Sequence, residues 1–310
     1  MRRSNTRLRP VLGIAALSSL VLTSACSVRT MAVNAVGNAL AAGGSSWGRD
    51  DDPELVRDAT PFALKTIESL LAQSPRHKGL LLAAASGFTE YAYAFVQSEA
   101  DYTEGRDLAA ATAMRARAGR LYRRALDYGL RGIEVDHPGF RESLRSDPVG
   151  ACAAVRSKAR VPLLYWTAMA WGAAISLAKE DPELAAGLPA TEALVRRAIA
   201  LDAGFGAGAL YDFLIAYDGG RPASAGGSVE RARVDLERAL AFADGKRAAP
   251  LVTFAETVSV ASQDRAEFKR LLTQALAVDV DRAPEHRLAN LVAQKRARWL
   301  LARTDDLFIE

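Results

Sequence analysis

From Asp52-Pro53 onward, apolar residues recur at three- and four-residue intervals almost to the end of the chain, the spacing that puts them on one face of a helix. Ala, Leu and Arg dominate this stretch, and all three are good helix formers. Runs of alternating β-branched residues are almost absent, so no sheet is expected. Asp52-Pro53-Glu54, Asp147-Pro148, Asp181-Pro182-Glu183 and Pro189 read as helix starts, where a carboxylate caps the free amides and proline takes an early position. The pattern predicts about ten to twelve helices joined mostly by short loops.

A repeat shows through these helices. Arg124-Ala125-Leu126, Arg197-Ala198-Ile199, Arg238-Ala239-Leu240 and Gln274-Ala275-Leu276 occupy similar settings, and Leu121, Leu194 and Leu271 each lie one turn before the alanine. Each such helix follows one rich in small and aromatic residues: Ser86-Gly87-Phe88, Trp171-Gly172-Ala173, Gly208-Ala209-Leu210-Tyr211 and Phe254-Ala255. The alanines are 73, 41 and 36 residues apart. The last two spacings suit a helix-pair unit, and the first holds two units or one with an insertion. The expectation is an all-α, TPR-like helical-repeat solenoid over residues 51–310, with an irregular helical bundle as the alternative.

Two segments lack the amphipathic pattern. Val11 to Leu22 is wholly apolar or small, follows Arg2, Arg3, Arg7 and Arg9, and ends in Leu22-Thr23-Ser24-Ala25-Cys26. A basic start, a short apolar run and small residues before a cysteine form a bacterial lipoprotein signal. Residues 1–25 are therefore read as a signal peptide, and Cys26 as the residue that carries a diacylglyceryl lipid. Ser27, rather than Asp, follows the cysteine, which favours the periplasmic face of an outer membrane. Residues 26–50 read as a tether containing Gly43-Gly44-Ser45-Ser46 and Asp50-Asp51-Asp52, compositions that stay flexible and solvated. The other segment, Val161 to Ala178, carries no charge. Pro162, Tyr165, Thr167, Gly172 and Ser176 dilute its apolarity, so a helix buried on all sides is expected rather than a membrane span.

The signal peptide changes the charge balance. The chain has 40 Lys+Arg and 36 Asp+Glu, and the first 25 residues contribute four arginines and no acid. The mature chain is then formally neutral, which gives no electrostatic case for nucleic-acid binding. With Cys26 acylated, Cys152 is the one remaining thiol, so no internal disulfide forms. Cys152 stands among small residues in Gly150-Ala151-Cys152-Ala153-Ala154 and reads as buried and inert.

Candidate chemistry is sparse. His77, His137 and His286 are far apart and lack neighbours at metal-site spacing, and the first two read as solvated loop residues. There is no nucleophile elbow or phosphate-binding loop motif. Gly204-Phe205-Gly206-Ala207-Gly208 has no preceding strand, which leaves it as an inter-helix turn. Ser228 after Gly226-Gly227 reads as a helix cap, and Asp305-Asp306 as solvated. No cofactor is expected beyond the covalent lipid, and no metal.

The surface that stands out is a stripe on the helix from about Leu80 to Glu99. Ser86, Glu90, Tyr93 and Gln97 fall on one polar-aromatic face. A carboxylate among Phe88, Tyr91 and Tyr93 lines a wet cavity or faces a partner; the alternative is a half-exposed helix whose Glu90 meets an arginine. Trp166 is a further candidate for a ligand- or partner-facing position, although core packing is the default for it, as for Tyr165, Trp171 and Tyr211.

The run Gly87-Phe88-Thr89-Glu90-Tyr91-Ala92-Tyr93-Ala94-Phe95-Val96 resembles the TatT family, helical lipoproteins associated with tripartite ATP-independent periplasmic (TRAP) transporters. Arg117-Ala118-Gly119-Arg120-Leu121-Tyr122-Arg123-Arg124-Ala125 with Tyr128-Gly129-Leu130, Tyr165-Trp166-Thr167-Ala168-Met169-Ala170-Trp171-Gly172, the loop from Arg221-Pro222 to Gly226-Gly227, and Ala297-Arg298-Trp299-Leu300-Leu301 with Leu307-Phe308 are similar in the same order. The resemblance spans most of residues 50–310; Ser228 departs from the Asp expected after the glycine pair. It implies a TPR-type scaffold that engages the substrate-binding P component of a TRAP system, in some cases as a trimer with a passage for a small, hydrophobic ligand. It brings no catalytic residue. On that basis Glu90, Tyr93 and Gln97 are the expected ligand- or partner-facing wall. A generic TPR-like envelope lipoprotein that organises other proteins is the alternative function, and an envelope hydrolase using Glu90 a distant third.

Overall fold

The computed structural model describes Ala35, residues 44–178 and residues 180–309. Cys26, the signal peptide and most of the tether lie outside the described residues. Among those described there is no strand, and 13 helices have six residues or more, one beyond the upper end of the expected range.

The helix starts form as the sequence predicts. Asp52 Oδ1 accepts from Leu55 N at 2.9 Å, Asp147 Oδ1 from Gly150 N at 2.9 Å, and Asp181 Oδ1 from Leu184 N at 3.1 Å. These caps open α1 (Pro53–Gln73), a later helix at Pro148, and the short turn Pro182–Ala185, each with proline in the first turn. His77 is also a cap rather than a free loop residue: its Nδ1 accepts from Leu80 N at 3.1 Å and opens α2 (Lys78–Ala92). Beyond α2 the chain passes through a π-helical segment, Tyr93–Gln97, into α3 (Ser98–Thr103). There follow α4 (Leu108–Glu134), α5 (Phe140–Ser146), α6 (Pro148–Ala154), α7 (Val161–Leu177) and α8 (Leu188–Leu201). The second half comprises α9 (Ala209–Gly219), α10 (Val229–Ala243), α11 (Ala249–Phe254), α12 (Arg265–Leu276) and α13 (Arg287–Ala302). A second π-helical segment, Ala255–Ser259, directly follows α11. Gly204 to Gly208 is the expected turn, with Gly206, Ala207 and Gly208 at positive φ. Ser228 caps α10, accepting from Arg231 N at 3.2 Å.

The repeat is visible in the packing. Ala125, Ala198, Ala239 and Ala275 are fully buried, on α4, α8, α10 and α12 respectively. These four helices form an outer layer. The inner layer is α2, α7, α9, α11 and α13, each packed on the next. Between Ala125 and Ala198 lies one unit plus an inserted hairpin, α5–α6, which accounts for the 73-residue spacing. Small residues set the closeness of the layers: a side-chain carbon at Gly129 of α4 would sit 3.2 Å from Thr167 Cα of α7, so glycine is needed for this approach.

Helix α7 is not buried on all sides. Leu163, Leu164, Tyr165, Thr167, Ala168 and others are buried, but Pro162, Trp166, Met169 and Ala173 keep a partly accessible strip at helical spacing. The continuous run Lys78–Thr103 is long and apolar enough to cross a membrane by length and composition, and half of its apolar window is buried. Its place between α4 and α7 makes it a core element of the repeat.

The two ends of the helical region meet. Gly48 O accepts from Leu288 N at 3.0 Å, satisfying a first-turn amide of α13 that has no partner within its own helix. Arg287 Nη1 donates to Arg49 O at 3.0 Å, Lys295 Nζ lies 2.7 Å from Glu99, and Arg296 Nη1 lies 3.0 Å from Asp101 Oδ2. The inner layer therefore closes on itself, from α2 and α3 round to α13.

Candidate functional site

Closure of the inner layer gives its residues an unusual position. Glu90 is exposed to water and Tyr93 keeps 47% of its surface, and both belong to the continuous run Lys78–Thr103 whose far end is tied to α13. We take accessible surface on a helix of a layer that closes on itself as the inner wall of that layer. Burial pushes the Glu90 carboxyl up to about 7, with no cation to oppose it. Burial, and then the nearby Glu256 carboxylate, pushes the Tyr93 phenol up to about 12. Among the described residues the Glu90 carboxyl has no hydrogen-bond or ion-pair partner, so no arginine there meets it as the alternative expected.

Two ionic clusters stand on either side of this pair. One is built around Arg296 of α13, which is buried. Its Nε and Nη2 both bond Glu256, the first at 3.2 Å to Oε2. Its Nη1 faces Asp101 in a charge contact whose angle does not make a hydrogen bond. The guanidinium lies 4.3 Å from the centre of the Trp299 ring. Burial works against this charge, but the bonds to Glu256 raise the Arg296 pKa above its ordinary value. Asp101 is shared with Arg115, 2.8 Å away, which also grips Glu104. Both π-helical segments reach this cluster: Tyr93 opens the first, and Glu256 lies in the second. Such segments add a residue to a turn and recur at functional sites.

The other cluster pairs Arg247 with Asp212 of α9, both largely enclosed. Arg247 also donates to Ala207 O at 3.2 Å. Burial raises the Asp212 carboxyl above its usual range against the pull of Arg247, and its Oδ1 has no hydrogen-bond partner. Nearby His286 is pushed down by burial and then by Arg247, which favours the neutral ring. Tyr165 senses Arg247, Asp212 and Glu90 together, and burial raises its phenol well above its ordinary value. Glu90 is thus linked through Tyr165 to the Arg247 cluster, while Tyr93, one turn further on at the start of the π-helical segment, faces the Arg296 cluster.

The structure places the four sequence candidates differently. Glu90 and Tyr93 stand on the inner wall. Gln97 is half-buried and turned toward α4, where its Oε1 accepts from Tyr122 at 2.7 Å. Trp166 is half-buried against the core, with its ring 4.8 Å from that of Tyr165 in an edge-on arrangement. Sequence reasoning missed Arg296, Glu256, Asp101, Arg247 and Asp212. The usable signal was Asp212 itself, a lone acid in the apolar run Leu210-Tyr211-Asp212-Phe213-Leu214.

A separate cleft of about 770 Å³ opens elsewhere, between α4, α5 and α8. Its charges are largely mutually paired, Arg123 with Asp181 and Arg141 with Asp127, each at 2.8 Å. Cys152 is buried, and burial pushes its thiol up to about 12, which makes it a poor nucleophile. Among the described residues, no group of three or more His, Cys, Asp or Glu could hold a metal ion.

A family model for the TRAP transporter T-component, TAtT, matches residues 49–308. An uncharacterized protein of Treponema pallidum (strain Nichols) is 29% identical over 312 residues, covering 95% of this chain and 97% of that relative.

Proposed function

Because this chain belongs to the TRAP transporter T-component family, we propose that it is a non-catalytic, lipid-anchored periplasmic scaffold that engages the substrate-binding P component of a TRAP system. The family carries the accessory role in transport. The observation that supports a ligand-handling part in it is the inner wall: Glu90 and Tyr93 are accessible to water inside a closed layer of helices. On this reading Cys26 holds the domain at the membrane through its diacylglyceryl lipid, most simply at the periplasmic face of the outer membrane. The P component docks on the helical domain, and a small ligand enters the interior. No side chain has to make or break a bond, and neither ionic cluster is arranged as a nucleophile with its base.

The test is co-purification of the tagged, full-length protein from detergent-solubilised envelopes. Recovery of a TRAP solute-binding protein is the expected result. Recovery of other envelope proteins without it would favour the general scaffold and overturn the proposal.

A further inference from the structure

The interior carries more acid than base. Across the wall and its two clusters, the carboxyls are Glu90, Asp101, Asp212 and Glu256, and the arginines are Arg115, Arg247 and Arg296. His286, the imidazole beside them, is held toward its neutral form by burial. Every one of these acids except Glu90 has an arginine. A carboxyl without a partner inside protein is costly in its charged form, and the cost falls when a cation arrives.

What surrounds Glu90 narrows the kind of cation. Tyr93, one turn along the same helical run, keeps nearly half its surface accessible. Tyr165 on the facing helix senses the Glu90 charge, and its ring meets Trp166 edge-on. Met169 lies one turn beyond Trp166 on the partly accessible strip of α7. One carboxyl framed by aromatic and thioether groups suits a cation attached to an apolar body, which gains both the charge contact and the ring faces. A hydrated metal ion would find only one oxygen ligand here, far short of a metal shell. An organic carboxylate would meet an unpaired acid and, among the described residues of the two clusters, only arginines already paired with carboxylates.

We infer that Glu90 is the recognition carboxylate for an organic ammonium ligand held in the interior between Tyr93 and the Tyr165–Trp166 edge. This rests on the reading that the interior admits a ligand. The ammonium protons bond the Glu90 oxygens, and the alkyl or aromatic body lies along Tyr93, Trp166 and Met169.

Hexylammonium and hexanoate, matched in length and opposite in charge, test this by calorimetric titration of the intact protein. Hexylammonium should bind and hexanoate should not. Glu90→Gln, which keeps the shape and removes the charge, should weaken hexylammonium about ten- to a hundredfold, and thermal melting should show the variant folded. Hexanoate binding as tight as hexylammonium, hexylammonium binding that survives Glu90→Gln, or binding of neither probe would each overturn the inference. Capture of the solute-binding protein by Glu90→Gln is a separate readout. If capture persists while ammonium binding is absent from the wild type, this inference falls and the scaffold function stands; if the wild type captures no such protein, the scaffold function itself falls.

Discussion

Arg296 bonds Glu256 through two nitrogens, tying α13 to the π-helical segment that follows α11. Its third nitrogen faces Asp101 near the start of the domain. This one guanidinium thus holds together segments that are 195 residues apart, and with Lys295–Glu99 it closes the inner layer. Removing Glu256 takes two charge-assisted bonds from Arg296 and leaves it Asp101 alone, a loss of about 1.5–3 kcal/mol. Glu256→Ala should lower unfolding free energy in urea by about that amount, whereas Lys295→Ala, at an exposed pair, should cost no more than about 1 kcal/mol. Equal effects of the two substitutions would show that Arg296 does not carry the closure.

The Glu90 carboxyl makes stability depend on pH in the direction opposite to an ordinary surface acid. Its folded-state value is raised from 4.5 to about 7, so between those values the folded protein holds more protons than the unfolded chain. Stability contributed by the neutral form is full below about 4.5 and is lost as pH rises through about 7. Melting temperature of the wild type should therefore decline over this window relative to Glu90→Gln, with the two converging at the acid end. Parallel curves for the two proteins across the window would contradict the assignment.

At Gly129 two effects of opposite sign compete. Alanine is better than glycine in a helix by about 1 kcal/mol, but the added carbon would press on Thr167, including its Cα at 3.2 Å. Backbone cannot move aside as a long side chain can, and overpacking costs about 1–3 kcal/mol. Gly129→Ala should be net destabilising by urea titration. Gly119→Ala on the same helix has open space around it and should stabilise.

Cys152 should resist thiol reagents in the native state. It is buried, and its thiol stays protonated near neutral pH because burial pushes it up to about 12. Ellman's reagent should report Cys152 only after unfolding. Fast labelling of the folded protein at this position would mean that α6 opens readily.

The fold was legible because its signals are local. Asp-Pro caps fix helix starts, and the alanines at 125, 198, 239 and 275 mark where outer helices meet inner ones, all four fully buried. That Glu90 and Tyr93 share one accessible face was legible for the same reason, since they are one helical turn apart. Gln97 was placed on that face by counting at 3.6 residues per turn, a count that fails once the π-helical segment Tyr93–Gln97 adds a residue. The side chain turns toward Tyr122 instead. The Arg296 cluster was invisible because its parts come from three distant segments, and Lys295-Arg296-Ala297-Arg298 has the look of a solvated helix face. Nothing in the spacing distinguishes the buried Arg296 from its exposed neighbours at 295 and 298.

The central claim is that Tyr93 lines an interior open to small molecules and closed to large ones. It is tested most directly by thiol labelling of Tyr93→Cys in a Cys26→Ser, Cys152→Ala background, with a small methanethiosulfonate and with a maleimide bearing a long polyethylene glycol chain. The account predicts that the small reagent modifies the folded protein and that the large one reacts only after unfolding. Equal labelling by both in the folded state would make Tyr93 part of an open outer surface, and no labelling by either would make it core; each contradicts the account.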